Sequence, residues 1–198
     1  MSLPIVIQRA KDLGYAVFEG DADYDLNIIG IRSKDTTVNT FNDLMTCSYK
    51  VKGQWYTRSW RCTTDPGLYW LNNPGRVEGT AILCPGQYRG AYKLGKHRGS
   101  YNALVQKGAK VRVYRDADRD AEHDRVDSSI VEGYFGINIH RASRKRASTR
   151  VDKWSAGCQV FADGTPGGDF DEFMKLCKKQ VHHHPTWTTF SYTLLDAW

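Results

Sequence analysis

The sequence predicts a mainly β domain: a mixed β-sheet sandwich or barrel with a few short helices. Three observations carry this. Alternating apolar and polar runs rich in aromatic and β-branched residues recur at Leu44 to Val51, Trp55 to Cys62, Gly133 to His140 and Phe190 to Leu195. Turn signals separate such runs, at Lys52-Gly53-Gln54, Asp65-Pro66-Gly67 and Asn72-Asn73-Pro74-Gly75. Helix-like segments with recognisable ends are few and short. With 198 residues, 40% hydrophobic and 25% charged, the chain suffices for one well-buried core, so a single domain over 1–198 is expected.

In chain order, residues 1–25 form an N-terminal helical extension. Its helix spans Pro4 to Leu13, with proline near the start and Gly14 as the stop, and packs as a lid on the core. Asp21, Asp23 and Asp25 alternate through a polar turn before a strand at Leu26 to Arg32. The runs 44–51 and 55–62 make a hairpin. Thr80 to Leu83 and Lys110 to Tyr114 supply two more strands. Between them, residues 85–101 are so punctuated by glycine that they read as a long groove-lining loop, with Tyr88, Tyr92 and His97 as candidate substrate contacts. Residues 133–140 read as one strand, with Phe135, Ile137 and Ile139 inward and Asn138 and His140 facing a groove. Residues 166–198 hold a helix over 170–180 capped by Asp169, whose Phe173, Met174, Leu176 and Cys177 share a face, and the closing strand.

Function is concentrated between His140 and Cys158, eighteen positions apart. A thiol attacks as the thiolate, so a nearby imidazole is a natural activator. Ser155-Ala156-Gly157-Cys158 reads as a tight turn presenting the sulfur. Gly157 lets the backbone approach a substrate carbonyl, and N–H groups around Gly157 and Cys158 are candidate oxyanion donors.

His140, Ser155, Gly157 and Cys158, in this order and spacing, resemble the signature of the L,D-transpeptidase catalytic-domain family, the YkuD-like fold. Thr80 to Tyr88 is similar to that family's Thr-Pro-x-Gly-x-aromatic segment, so the likeness covers a family core at about residues 40–165. The stretches Thr63-Thr64-Asp65-Pro66-Gly67 and Lys153 to Phe161 resemble small phage and prophage peptidoglycan-degrading members. The resemblance implies an L,D-transpeptidase-like mixed sheet and an acyl-enzyme mechanism without cofactor or metal. Cys158 would be the nucleophile and His140 its base, oriented by the backbone carbonyl of Arg141, while Ser155 shapes the turn. Substrate contacts are then expected at Asn138, Trp154, Gln159, Tyr88, Tyr92 and Arg141, and the substrate is a peptidoglycan stem peptide. The family's second histidine, directly before Gly-Cys, is Ala156 here, and the Arg or Asn soon after the cysteine is missing at Gln159 and Val160. Those departures favour hydrolysis over cross-linking, because hydrolysis needs only water as acceptor. True transpeptidation and a non-catalytic basic module binding wall or nucleic acid remain the alternatives.

A net charge of +6 and a pI near 9.0 favour polyanionic partners. Much of the charge lies in Arg141 to Arg150, read as a solvated mobile loop or binding surface between base and nucleophile. Nucleic acid is the less favoured partner, since no helix-turn-helix, RNP-type or finger motif occurs. Five cysteines, Cys47, Cys62, Cys84, Cys158 and Cys177, argue against a disulfide scaffold. No apolar run is long enough to span a bilayer, and the first residues lack a secretory signal, so synthesis in the cytoplasm and action at the wall after release or phage delivery are expected, as a monomer. The carboxylates of Asp116 to Asp124 alternate as in a calcium loop but lack the glycine and distal glutamate of an EF-hand. His182-His183-His184 reads as a solvent-facing loop before Pro185, and no His-Glu-x-x-His helix is present.

Overall fold

In the computed structural model, which describes residues 3–198, the chain is mainly β. Strands β1 (Asn27–Arg32), β2 (Asp43–Val51), β3 (Gln54–Thr63), β5 (Gly86–His97), β6 (Tyr101–Gln106), β9 (Ile139–Arg141), β10 (Gln159–Phe161) and β11 (Phe190–Asp196) close a barrel of order β1-β11-β5-β6-β9-β10-β3-β2. Strands β4 (Thr80–Leu83), β7 (Val111–Asp116) and β8 (Val131–Gly133) form a smaller sheet of order β4-β7-β8. The barrel is mixed, because β1 runs parallel to β11 and β10 parallel to β9. Met1 and Ser2 of the expected N-terminal extension lie outside the described residues.

The β2–β3 hairpin follows from its turn. Lys52 and Gly53 both take positive φ, 50° and 75°, which matches the twist of the flanking strands. Alternation then sorts the side chains. Met45, Cys47, Tyr49, Trp60 and Cys62 are buried in the barrel core with Tyr92, Leu104, Phe161 and Tyr192. Helix α3 (Asp169–His183) inserts Phe170, Phe173, Met174 and Cys177 into the same cluster. On the barrel's outer side, helix α1 (Ile5–Asp12) lays Val6, Ile7 and Ala10 on Ile29 and Leu195. Burying an aliphatic side chain of this size contributes about 1.5–3 kcal/mol. A third cluster of Phe41, Ala142, Val151, Val160 and Ala162 lies behind β10.

Several expectations are corrected. Residues 85–101 are no loop: β5 and β6 form a long hairpin pairing Tyr92 with Gln106 through His97 with Tyr101. Gly95 marks a close approach, since a Cβ there would lie 2.6 Å from Val105 Cγ2, and Gly99 takes φ 72° in the turn. Residues 133–140 are no single strand, because β8 ends at Gly133, Gly136 takes φ 73°, and β9 begins only at Ile139. Helix α2 (Leu68–Asn72), between two turn signals, had no sequence expectation. Gly168, not Asp169, caps α3, and the helix runs on to carry His182 and His183 in its last turn. His184 stacks on Trp187 at 3.8 Å between ring centres and meets the Asp23 carbonyl at 2.7 Å, so it is no free loop histidine. The basic run is pinned at both ends, by Ala142 in the third cluster and by the Thr40–Arg150 bridge, while Arg144, Lys145 and Arg146 stay exposed. Among the described residues no helix is long and apolar enough to cross a membrane, and no three His, Cys, Asp or Glu side chains are set to hold a metal ion.

Candidate active site

The parallel pairing of β9 with β10 puts Ile139 beside Gln159 and His140 beside Val160. Ile139 and Phe161 enter the barrel core, so the alternate residues His140, Val160 and Cys158 belong to its outer side, where Val160 and Cys158 join the third cluster. His140 and Cys158 thus reach the same side of neighbouring strands although eighteen residues separate them.

The turn before Cys158 is built tightly. Ser155, fully buried, donates through Oγ to the Cys158 carbonyl at 2.8 Å and accepts the Gly157 N–H at 3.1 Å. Gly157 has φ 111°, and a Cβ there would stand 2.2 Å from the Ala81 carbonyl oxygen, so only glycine fits between this turn and β4. The Ser155 carbonyl accepts the Gly67 N–H at 2.9 Å, docking the Asp65-Pro66-Gly67 turn against it. Because Gly157 N–H is engaged by Ser155, it is not a free oxyanion donor; among the described residues the Cys158 N–H has no such internal partner.

At rest the Cys158 thiol donates to the Gly136 carbonyl at 3.4 Å and its sulfur accepts the Asn138 N–H at 3.4 Å. No direct hydrogen bond joins it to His140 among the described residues. Cys158 is partly exposed, whereas Cys47, Cys62, Cys84 and Cys177 are buried. Removal from water pushes its thiol up to about 11, against which the Asn138 N–H and the charge of Arg98 pull only partly.

His140 is 2% exposed, which corrects the expectation that it looks into a groove. Its Nδ1 lies 2.9 Å from the Arg141 carbonyl. A carbonyl only accepts, so Nδ1 carries the proton and Nε2 keeps its lone pair. Tyr101 Oη closes the arrangement, 3.1 Å from His140 Nδ1 and 3.1 Å from the Arg141 carbonyl. His97, last in β5, stacks on His140 at 3.9 Å between ring centres and accepts from Asn138 Nδ2 at 3.2 Å through its Nδ1. The Asn138 amide is oriented by the Gln106 N–H, which donates to Oδ1 at 2.9 Å. Burial first, then the neighbouring His97, holds His140 down to about 3; burial and the charges of Arg98 and Arg141 hold His97 down to about 4. Both rings are neutral at pH 7, so the resting pair is a thiol and an imidazole, not a thiolate and an imidazolium.

The other expected substrate contacts divide. Trp154 is 42% exposed and lines an open cleft of about 630 Å³ with Leu68, Tyr69 and Lys153. Arg141 is half-buried, its guanidinium 4.1 Å over the Tyr101 ring. Tyr88, Tyr92 and Gln159 are corrected: Tyr88 donates to the Cys84 carbonyl at 2.6 Å, Tyr92 packs edge-on against Tyr192, and Gln159 accepts from Tyr192 Oη at 2.8 Å inside the barrel. Each faces the core because strand alternation places it there. Asn138 holds the backbone and His97 together. Tyr101 was missed by sequence reasoning; only its position across the β5–β6 turn from His97 could have pointed to it.

No family model, curated protein or solved structure matches this chain.

Proposed function

We propose that the chain is a cysteine-dependent hydrolase of peptidoglycan stem peptides with an L,D-transpeptidase-like fold, acting at the bacterial wall after release or phage delivery. The observation that supports this most is the held tautomer of His140: the Arg141 carbonyl fixes the proton on Nδ1, and Nε2 is left as a base on the same barrel side as Cys158. That is the arrangement a thiol nucleophile requires, with no carboxylate needed to orient the imidazole.

In the proposed reaction the Cys158 thiol leaves the Gly136 carbonyl and gives its proton to His140 Nε2 as sulfur attacks the stem-peptide carbonyl. Proton transfer accompanies attack, because neither group is charged beforehand. The Cys158 N–H faces the developing oxyanion. The protonated imidazole, disfavoured in its buried site, returns the proton to the leaving amine. Water, activated by the regenerated base, then releases the acyl group from sulfur. Tyr101, His97 and Asn138 act as positioning residues. Hydrolysis is preferred to cross-linking because Ala156 supplies no second histidine beside the thiol.

Mass spectrometry of muropeptides released from purified sacculi tests the reading. Cys158→Ser and His140→Ala should each lower release by several orders of magnitude, as nucleophile and base deletions do elsewhere. Undiminished release by either variant would overturn it.

A further inference from the structure

A small cleft of about 190 Å³ is walled by residues that neighbour, in the chain, Cys158 and the carbonyl its thiol meets. Ala156, two residues before Cys158, forms one wall, and Phe135, next to the Gly136 that accepts from the thiol, forms another. Ala81, whose carbonyl abuts Gly157, joins them. The opening is smaller than the roughly 300 Å³ at which pockets begin to enclose whole ligands, so it suits one side-chain-sized group.

Two guanidinium groups share this cleft. Arg115 reaches it from β7, its guanidinium 4.6 Å over the Phe135 ring, with one nitrogen donating to the Gly79 carbonyl at 3.2 Å. Its Nε is buried without a hydrogen-bond partner among the described residues. Arg76 enters from the loop before β4 and is exposed. Neither forms an ion pair among the described residues. Burial and then the charge of Arg76 depress Arg115, and Glu78 offsets only a smaller part. Two like charges therefore share the cleft, Arg115 partly desolvated and Arg76 exposed, with donor capacity unspent. Guanidinium groups suit a planar carboxylate, which accepts two parallel N–H bonds.

We propose that the cleft between Phe135 and Ala156 is a carboxylate-binding subsite, in which Arg115 and Arg76 hold an acidic group of the acyl donor beside Cys158. This rests on the reading of Cys158 as the nucleophile. The substrate class narrows accordingly, to stem peptides carrying a free carboxylate next to the bond that is cut, and amidation of that carboxylate should make a peptide a poor substrate.

Paired alkylating reagents test the subsite apart from turnover. Iodoacetate and iodoacetamide both form a sulfur–carbon bond with loss of iodide and the thiol proton, but only the first carries a carboxylate. Their rate constants at Cys158 are measured by peptide mass spectrometry on the folded, full chain, for wild type, Arg115→Gln and Arg76→Gln. The iodoacetate-to-iodoacetamide ratio should fall about tenfold in Arg115→Gln, the scale of one charge-assisted hydrogen bond, and fall in Arg76→Gln. Arg76 makes no internal bond that folding relies on, so its variant remains readable if Arg115→Gln melts early. A ratio unchanged in both variants would overturn the subsite while leaving the nucleophile standing. If the folded protein's Cys158 resists both reagents even at pH 10, where a thiol near 11 is about one-tenth ionised, yet reacts in urea, the nucleophile reading itself fails, and the subsite falls with it.

Discussion

Titrating the reactivity of Cys158 separates a neutral thiol–imidazole pair from a preformed ion pair. Burial places the thiol near 11 and the His140 imidazole near 3, so across pH 4 to 10 both groups stay neutral. An ordinary thiol near 8.5 is a few per cent ionised at pH 7; one near 11 is ionised about 300-fold less. Alkylation follows the thiolate, so its rate should climb tenfold per pH unit from 6 to about 10 and bend only near 11. The assay is the iodoacetamide rate at Cys158 from pH 5 to 11, read by mass spectrometry, in wild type and His140→Ala. The two profiles should coincide, because an uncharged imidazole does not ionise the thiol at rest. Turnover should behave differently: the base stays deprotonated down to about pH 4, so activity should persist on acidification from pH 7 and vanish in His140→Ala. A rate plateau between pH 5 and 8 that disappears in His140→Ala would refute this reasoning, since it would reveal a thiolate stabilised by an imidazolium.

Two further outcomes concern the frame around the site. Gly157→Ala must adopt φ near 111° and press a methyl against the Ala81 carbonyl, so it should lose about 1–3 kcal/mol from backbone conformation alone, seen as a lower thermal midpoint; an unchanged midpoint would refute the tight seat of the turn. Asp65 pairs with Arg32 at 3.1 Å and Arg125 at 2.8 Å. Burial pushes its carboxyl up, but the two arginines outweigh that and hold it below the ordinary range. A depressed carboxylate adds stability that is complete above its unfolded value near 3.9 and is lost as pH falls through the folded one. Asp65→Asn should therefore cost about 3–5 kcal/mol in urea unfolding at pH 6, by stranding buried Arg32, and should weaken the stability loss between pH 4 and 2. A variant as acid-sensitive as wild type would contradict this.

Local signals were legible where chain neighbours decide structure. The Lys52-Gly53 turn specifies its hairpin, and the apolar face of α3 was read residue by residue. The His140–Arg141 carbonyl contact, expected from resemblance, is present because it spans one peptide unit. Glycine misled at residues 85–101, where Gly95 lies within a strand packed too closely against Val105 for a side chain and Gly99 makes the hairpin turn. Alternation misled at 133–140, where Gly136 at positive φ breaks the period before β9.

By itself the sequence determined a β-rich chain, its hairpin, its helical face and the residue types of a thiol–imidazole pair, because these depend on periodicity and on chemistry carried by single side chains. Only the tertiary structure decided that β9 and β10 run side by side, that His140 is buried under His97 and Tyr101, that Gln159 and Tyr92 turn inward, and that Arg76 and Arg115 line one cleft with Phe135 and Ala156. Those placements join residues far apart in the chain, and they set how much water each group loses. Desolvation pushes both the sulfur and the imidazole further toward their neutral forms, and neighbouring positive charge adds to it only at the imidazole.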